Sequence, residues 1–274
     1  MSALAQRVCA ALVLIPAVVA AVLWLPTGGF ALVLGAFALV GASEWCQIGQ
    51  LPKIIHVGFV AAVALCLIAI HFTMHLELVM LAVLLSALLW WLLALFAVLA
   101  QQREIRLRCF DNTLVRFLAG GLTLVPAWAS LVWLHSYRPT MVLFVLVLIW
   151  VADSAAFFAG RRFGRHKLAS RVSPGKSWEG VAGGLLAVVM LAVGVAMANQ
   201  STITSPALFV VLSFIVALAS VLGDLIESLF KRRAGVKDSG TLIPGHGGVL
   251  DRIDSLTAAG PCFAAGWFFS GGMA

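Results

Sequence analysis

The sequence predicts an all-α, polytopic integral membrane protein with about nine transmembrane helices. Of its 274 residues, 62% are hydrophobic and only 11% are charged, and the mean hydropathy is +1.08. Soluble domains carry close to a quarter charged residues. The apolar residues form long continuous runs, whereas a membrane β-barrel shows short alternating segments. Both observations therefore favour a bundle of membrane-spanning helices.

A transmembrane helix needs about 20 apolar residues, and the chain contains nine candidate stretches. The first follows Arg7, and no small-residue cleavage site leads into a soluble domain, so we expect a retained span and not a signal peptide. The second is short and stops against Glu44, and the last is short and rich in small residues. The predicted spans are 8–25, 29–43, 54–72, 77–100, 117–135, 140–160, 178–198, 207–229 and 255–272.

The distribution of Lys and Arg predicts the orientation, because cytoplasmic loops carry the excess of basic residues. With the N-terminus inside, all eighteen Lys and Arg residues except Arg138 face the cytoplasm, and the C-terminus lies outside. The formal charge of +7 is then a cytoplasmic feature that suits lipid headgroups or a nucleotide. A nucleic-acid partner is not expected, since no soluble domain is present to hold one.

The cysteines and tryptophans indicate structural roles. The five cysteines lie far apart without a CxxC pair, so we expect small buried hydrophobic residues and neither a disulfide framework nor a zinc site. Trp90 and Trp91, like the other tryptophans near span ends, are predicted to anchor helices at the membrane interface.

One dense polar insert, Gly223 to Asp254, interrupts the apolar pattern and holds five of the eleven carboxylates. Asp224, Glu227 and Ser228 share one helical face, as do Asp251 and Asp254. If the intervening loop folds back, the two carboxylate pairs converge on a site for a hard cation such as Mg²⁺. The alternative is that these groups only form ion pairs with Arg232, Arg233 and Arg252.

The loop inside this insert contains Pro244 and three glycines around His246. Glycines allow backbone N–H groups to approach phosphate oxygens, so this loop is a candidate anion site; a plain re-entrant turn is the alternative. His246 could donate to a phosphate or serve only as a turn residue.

A second polar cluster, Gly160 to Gly180, is strongly basic. Pro174 and Gly175 predict a tight turn that places Lys176 and Ser177 at the start of the seventh span, and a helix N-terminus beside a lysine favours phosphate. The glycine spacing is not that of a Walker A loop. A purely topogenic loop would account for the arginines but not for this turn or for Glu179.

Two further carboxylates lie within apolar runs. Asp153 is expected to face the bundle interior, where it could contact a nucleotide, support Lys176, or pair with Arg161 or Arg162. Glu44 is more isolated, and we expect a structural role for it.

The segment Ser228 to Asp254 reads SLFKRRAGVKDSGTLIPGHGGVLDRID. It closely resembles the signature of the CDP-diacylglycerol synthases, or phosphatidate cytidylyltransferases, in its Ser, Lys-Arg, Lys-Asp, His-Gly-Gly and Asp-Arg-x-Asp elements. The stretches 153–164 and 173–180 are also similar to the family, and the resemblance is firm over residues 150–255. The first half of the chain matches only as apolar spans.

The resemblance implies that CTP and phosphatidate react to CDP-diacylglycerol and pyrophosphate with a divalent metal, Mg²⁺ with or without a second cation, at the cytoplasmic face of a bacterial inner membrane. It is also compatible with a homodimer. The family's metal-binding carboxylates match Asp224, Asp251 and Asp254.

We expect one transmembrane domain over residues 1–274, in which residues 1–149 form a scaffold that contacts lipid. Residues 150–274 form the catalytic half, with polar loops 160–180 and 223–254. The expected catalytic residues are Asp224, Asp251, Lys237 and His246. The expected substrate-binding residues are Asp153, Ser173, Lys176, Ser177, Glu179, Lys231, Arg232, Asp238, Gly247, Gly248 and Arg252.

Two other classes of protein are alternatives. The CDP-alcohol phosphotransferases carry a motif similar to D-G-x2-A-R-x8-G-x3-D-x3-D, and this motif is absent from the sequence. A proton- or ion-coupled transporter also has intramembrane carboxylates, but its sites lie near the bilayer midplane. Here the polar clusters lie at the predicted cytoplasmic ends of the spans, which favours chemistry at the membrane surface.

Overall fold

The computed structural model describes residues 3–105, 107–199, 205–242 and 247–270, with side chains from residue 12 onward. Within these ranges the chain forms nine α-helices, one 3₁₀ helix at Arg108–Asp111 and one two-stranded sheet. The helices are α1 (Ala3–Trp24), α2 (Thr27–Ile48), α3 (Lys53–Thr73), α4 (Glu77–Gln102), α5 (Thr113–Tyr137), α6 (Pro139–Phe163), α7 (Trp178–Ala198), α8 (Pro206–Arg233) and α9 (Leu250–Phe269). The strands are β1 (Lys167–Ala169) and β2 (Ser173–Ser177).

The all-α membrane architecture predicted from the sequence is confirmed. Seven of the helices, α2 to α8, are long and apolar enough to cross a membrane, judged over the described parts of the chain. Helices satisfy their backbone groups internally, which is what a hydrocarbon environment requires. The part of α1 whose side chains are described, Leu12–Trp24, is apolar but shorter than these seven helices. Helix α9 is largely buried among the others. The count of nine spans stays a prediction.

Local sequence signals set several helix boundaries. Pro139 and Pro206 occupy the first positions of α6 and α8, where the missing N–H of proline is harmless. Ser177 and Asn112 cap α7 and α5 by accepting the N–H groups of Gly180 and Leu114, as short polar residues commonly do. The predicted span 178–198 therefore coincides with α7.

The helices pack mainly as pairs, with α6 along α7 and α8 along α9. At the α6–α7 contact, a Cβ added to Gly184 would lie 2.8 Å from the carbonyl oxygen of Ala152. A small residue is therefore needed for this close approach, which is common between membrane helices. Helices α5 and α9 form the centre of the bundle, since both are mostly buried.

Three local predictions were wrong. Helix α2 continues past Glu44 to Ile48, because this carboxylate is buried and hydrogen-bonded and does not end the span. Trp90 and Trp91 lie in the middle of α4 and are only 5% and 6% exposed, and Trp90 donates to the Thr123 hydroxyl. They are therefore packing residues and not interface anchors.

The third difference concerns the basic segment between α6 and α7, which forms an antiparallel hairpin of β1 and β2. Its turn lies at residues 170–172, and the Val172 N–H donates to Ala169. Pro174 and Gly175 are inside β2 and do not form the predicted turn. A proline is tolerated in this short sheet because neither strand is central.

Candidate active site

A cavity of about 400 Å³ opens between α6, α7 and α8. Its polar side chains include Asp153 from α6, Lys176 from β2 and Asp224 from α8. An apolar wall continues from them along α7 and α8 through Val181, Leu185, Ala217 and Val221. The cavity thus joins a charged region to a hydrophobic one, as a site for an amphiphilic molecule requires.

Lys176 and Asp224 form the central ion pair of this cavity, with Nζ 2.5 Å from Oδ2. The other oxygen of Asp224 accepts the Ser228 hydroxyl at 3.1 Å, one helical turn further along α8. Asp153 lies within electrostatic range of both Lys176 and Asp224. Of the alternatives considered for Asp153, these interactions favour support of Lys176.

The two predicted carboxylate pairs face each other across α8 and α9. Lys231 links them, because its Nζ lies 2.8 Å from Glu227 Oε1 and 2.6 Å from Asp251 Oδ1. Asp254 interacts electrostatically with Asp224. In the described parts of the segment between these helices, Ser239 and Gly248 both reach Asp251.

Asp251 is fully engaged by protein groups. In addition to Lys231, it accepts the backbone N–H groups of Ser239 and Gly248, both at 2.8 Å, and the Ser239 hydroxyl at 2.9 Å. Its role in the structure is to hold the loop before α9. The Gly248 N–H, which the sequence predicts as a phosphate donor, donates to Asp251 in this structure, so its contact with a phosphate stays a prediction.

The expected metal ligands do not surround one point. The described ranges contain no group of three His, Cys, Asp or Glu side chains that could hold an ion, and Asp251 is turned towards Lys231 and Ser239. Asp224 and Asp254 remain as a facing pair. Beside them, Glu227 Oε2 is buried and has no hydrogen-bond partner within the described parts of the chain. Two carboxylates suffice as protein ligands for Mg²⁺, because this ion completes its shell with water and substrate phosphates.

Lys231 was expected to bind substrate, but it is buried between two carboxylates. A lysine in this position neutralises its neighbours, which would otherwise be costly to bury. Arg232 is exposed and donates to the Val172 carbonyl at 3.4 Å, supporting the hairpin turn.

Glu179 was also expected to contact substrate, but its carboxylate turns towards the start of the hairpin. It accepts the N–H groups of Arg165 and His166, and it lies 2.6 Å from His166 Nδ1. This residue fixes the hairpin, because three donors from one short segment converge on it. Ser177 lines the cavity, and Ser173 begins β2 outside it.

The remaining predicted residues lie outside the cavity or outside the described ranges. Lys237, Asp238 and Arg252 are exposed and do not line it. Gly247 has a left-handed φ of +84°, which suits glycine. His246 lies outside the described residues.

The structure adds two residues that the sequence argument did not place in the site. Arg161 lines the cavity beside Gly160; the excess of basic residues in this segment hid its individual position. Glu44 contacts the loop before α9, and its only signal in the sequence was a carboxylate at the end of an apolar run.

Comparison with known proteins agrees with this geometry. Residues 5–269 match the model of the cytidylyltransferase family. A phosphatidate cytidylyltransferase of Haemophilus influenzae is 41% identical, over 97% of this chain and 99% of the relative. The protein of that name in Pseudomonas aeruginosa is 43% identical over 96% of both chains. A Bacillus subtilis relative of the same name is 42% identical over 45% of each chain.

The family match spans nearly the whole chain and includes both polar clusters, and two of the relatives align over almost their full length. This chain belongs to the cytidylyltransferase family.

Proposed function

We propose that this protein is a phosphatidate cytidylyltransferase, which transfers a cytidylyl group from CTP to phosphatidate and releases pyrophosphate. The observation that supports this most directly is the cavity, in which Lys176 and Asp224 adjoin an apolar wall. A nucleotide alone would not bind to the apolar wall, and a lipid tail alone would not bind to the ion pair. A reaction between a lipid phosphate and a nucleotide uses both.

The reaction requires stabilisation of negative charge on the phosphates more than removal of a proton. A phosphomonoester has a second pKa near 6, so the lipid phosphate is largely a dianion at neutral pH and needs no strong general base. The barrier lies in bringing two polyanions together and in stabilising the leaving pyrophosphate. We assign Lys176 to a phosphate of CTP, and the wall of Val181, Leu185 and Val221 to the glycerol and upper acyl region of the lipid.

We further propose that Asp224 and Asp254 hold Mg²⁺ during the reaction. When bound there, the ion supplies charge neutralisation and polarises phosphoryl oxygens. Asp251 then contributes by holding the loop before α9, and Asp153 by its electrostatic interaction with Lys176. One ion or two satisfies this arrangement.

The proposal includes the side of the membrane on which the site lies. The Lys176–Asp224 pair, the Arg232–Val172 bond and the Arg171–Glu104 ion pair join segments that the positive-inside rule assigns to one face. The contacts show that these segments lie together, and the excess of basic residues in them favours a cytoplasmic face for the site with the N-terminus inside. The bacterial relatives favour an inner membrane. Assembly as a homodimer rests on the family resemblance alone.

The test uses purified protein in detergent or vesicles with labelled CTP, phosphatidate and Mg²⁺. We expect release of pyrophosphate and label in a chloroform-soluble product, both dependent on phosphatidate. The Asp224→Asn variant is the matched control for contaminating activity. Absence of both products from the folded wild-type protein would refute the proposed function, and ion flux without pyrophosphate would favour a transporter.

A further inference from the structure

Helix α9 begins without a cap of its own. The residue at its N-cap position is Val249, whose side chain cannot accept a hydrogen bond. Glu44 of α2 supplies the missing acceptor from 205 positions away: its Oε1 accepts the Val249 N–H at 2.9 Å, and its Oε2 accepts the Leu250 N–H at 2.8 Å. A carboxylate at a helix N-terminus is favoured by the unpaired N–H groups and by the helix dipole.

Glu44 is also linked to Asp251 through one hydroxyl group. The Ser239 Oγ lies 3.0 Å from Glu44 Oε2 and 2.9 Å from Asp251 Oδ2. A serine has a single hydroxyl proton, so the two carboxylates share it. The Asp251 N–H returns to the same Oγ at 3.3 Å. The position of Ser239 therefore depends on both carboxylates.

The surrounding backbone is shaped around Glu44. A Cβ on Gly248 would come within 2.5 Å of Glu44 Oε2, and a Cβ on Gly240 would come within 2.7 Å of Oε1. Glu44 itself is 5% exposed. Gly248 directly precedes the capped Val249, but Gly240 lies next to Ser239 and away from the start of α9. The fit of the loop to this carboxylate therefore extends beyond the helix cap.

We propose that Glu44 is a positioning residue for the transfer reaction: through Ser239 it sets the orientation of Asp251 and of the loop that precedes α9. The inference rests on the proposed function for its kinetic test. It assigns a role in the site to the first half of the chain, which the sequence presented only as scaffold.

The kinetic test compares Glu44→Gln with Ser239→Ala and with both changes together. Leaving a buried hydrogen-bonding group unsatisfied, or displacing the loop that Asp251 holds, should lower kcat by about 10- to 100-fold in Glu44→Gln. KM for CTP should change by less than about threefold, because the binding groups near Lys176 are untouched. The kcat of the double variant should be only slightly lower than that of the less active single variant, because both changes break the same link between Glu44 and Asp251.

Glu104→Gln is the control, because this carboxylate is exposed and pairs with Arg171 outside the cavity. It should keep wild-type kcat. If the effects of Glu44→Gln and Ser239→Ala multiply, or if folded Glu44→Gln has wild-type kcat, the proposal is wrong. Should Glu44→Gln fail to accumulate, Ser239→Ala decides alone, because it leaves the Val249 and Leu250 bonds in place: wild-type kcat in that folded variant overturns the link.

Amide hydrogen exchange provides a readout that needs no turnover. The Ser239 N–H donates to Asp251 and not to Glu44, so its protection reports on the position of Asp251. In Glu44→Gln we expect exchange in the Ser239 peptide to be about tenfold faster. Loss of protection at Val249 and Leu250 with none at Ser239 would show that Glu44 only caps α9. If the wild-type protein makes no pyrophosphate, the proposed function fails while this measurement still decides the inference.

Discussion

Removing the ammonium of Lys176 is the sharpest test of the cavity. Lys176→Met keeps the apolar stem and deletes the charge that lies 2.5 Å from Asp224, with the two side chains 24% and 28% exposed. The change also leaves Asp153 and Asp254 without a cation that interacts with both. We expect this variant to fold, to bind CTP more weakly and to retain most of its maximal rate.

Two opposing effects set the magnitude. A hydrogen bond to a charged group contributes about 1.5–3 kcal/mol, which would be lost from nucleotide binding. Against this, wild-type Lys176 must leave Asp224 before it can bind phosphate, and a partly exposed ion pair is worth up to about 1 kcal/mol. With the full 1 kcal/mol offset, the net loss is about 0.5–2 kcal/mol, or a KM for CTP about 2- to 30-fold higher.

The assay is the initial rate against CTP concentration at saturating phosphatidate. Lys167→Met is the matched control, because Lys167 lies opposite Ser177 in the same hairpin and is exposed. It should behave as the wild type. An unchanged dependence of rate on CTP in Lys176→Met would refute the assignment of Lys176 to the nucleotide.

The other predictions concern α8 and α9. Asp224→Asn and Asp251→Asn should each lower turnover by more than about 100-fold while the protein still accumulates in the membrane, measured by pyrophosphate release and immunoblotting; normal activity in either would contradict the site. Gly223→Ala places a Cβ against the Asp254 carbonyl and should cost about 1–3 kcal/mol of stability as well as activity. Gly194→Ala in α7 has open space at that point and should lower neither the melting temperature nor the rate, because alanine is the better helix former.

Most of the polar groups of the site could be predicted from the sequence, because the patterns that indicate them involve residues close together in the chain. Long apolar runs require helices in lipid, and the spacing of Asp224 with Glu227 and of Asp251 with Asp254 places each pair on one helical face. The side chain of Ser177 caps α7 and so marks the residue at which this helix begins. Such features depend on residues within one or two turns of each other, so they can be predicted without knowledge of the packing.

What each charged group does was decided by the tertiary structure. Lys231 and Glu179 looked like substrate ligands, yet one is buried between two carboxylates and the other holds the hairpin. Glu44 looked isolated because its partners lie 195 to 206 residues away. A buried charge must find partners wherever packing supplies them. The sequence by itself determined which groups enter the membrane interface, and only the fold determined which of them satisfy one another and which, like Lys176 and Asp224, still face a cavity.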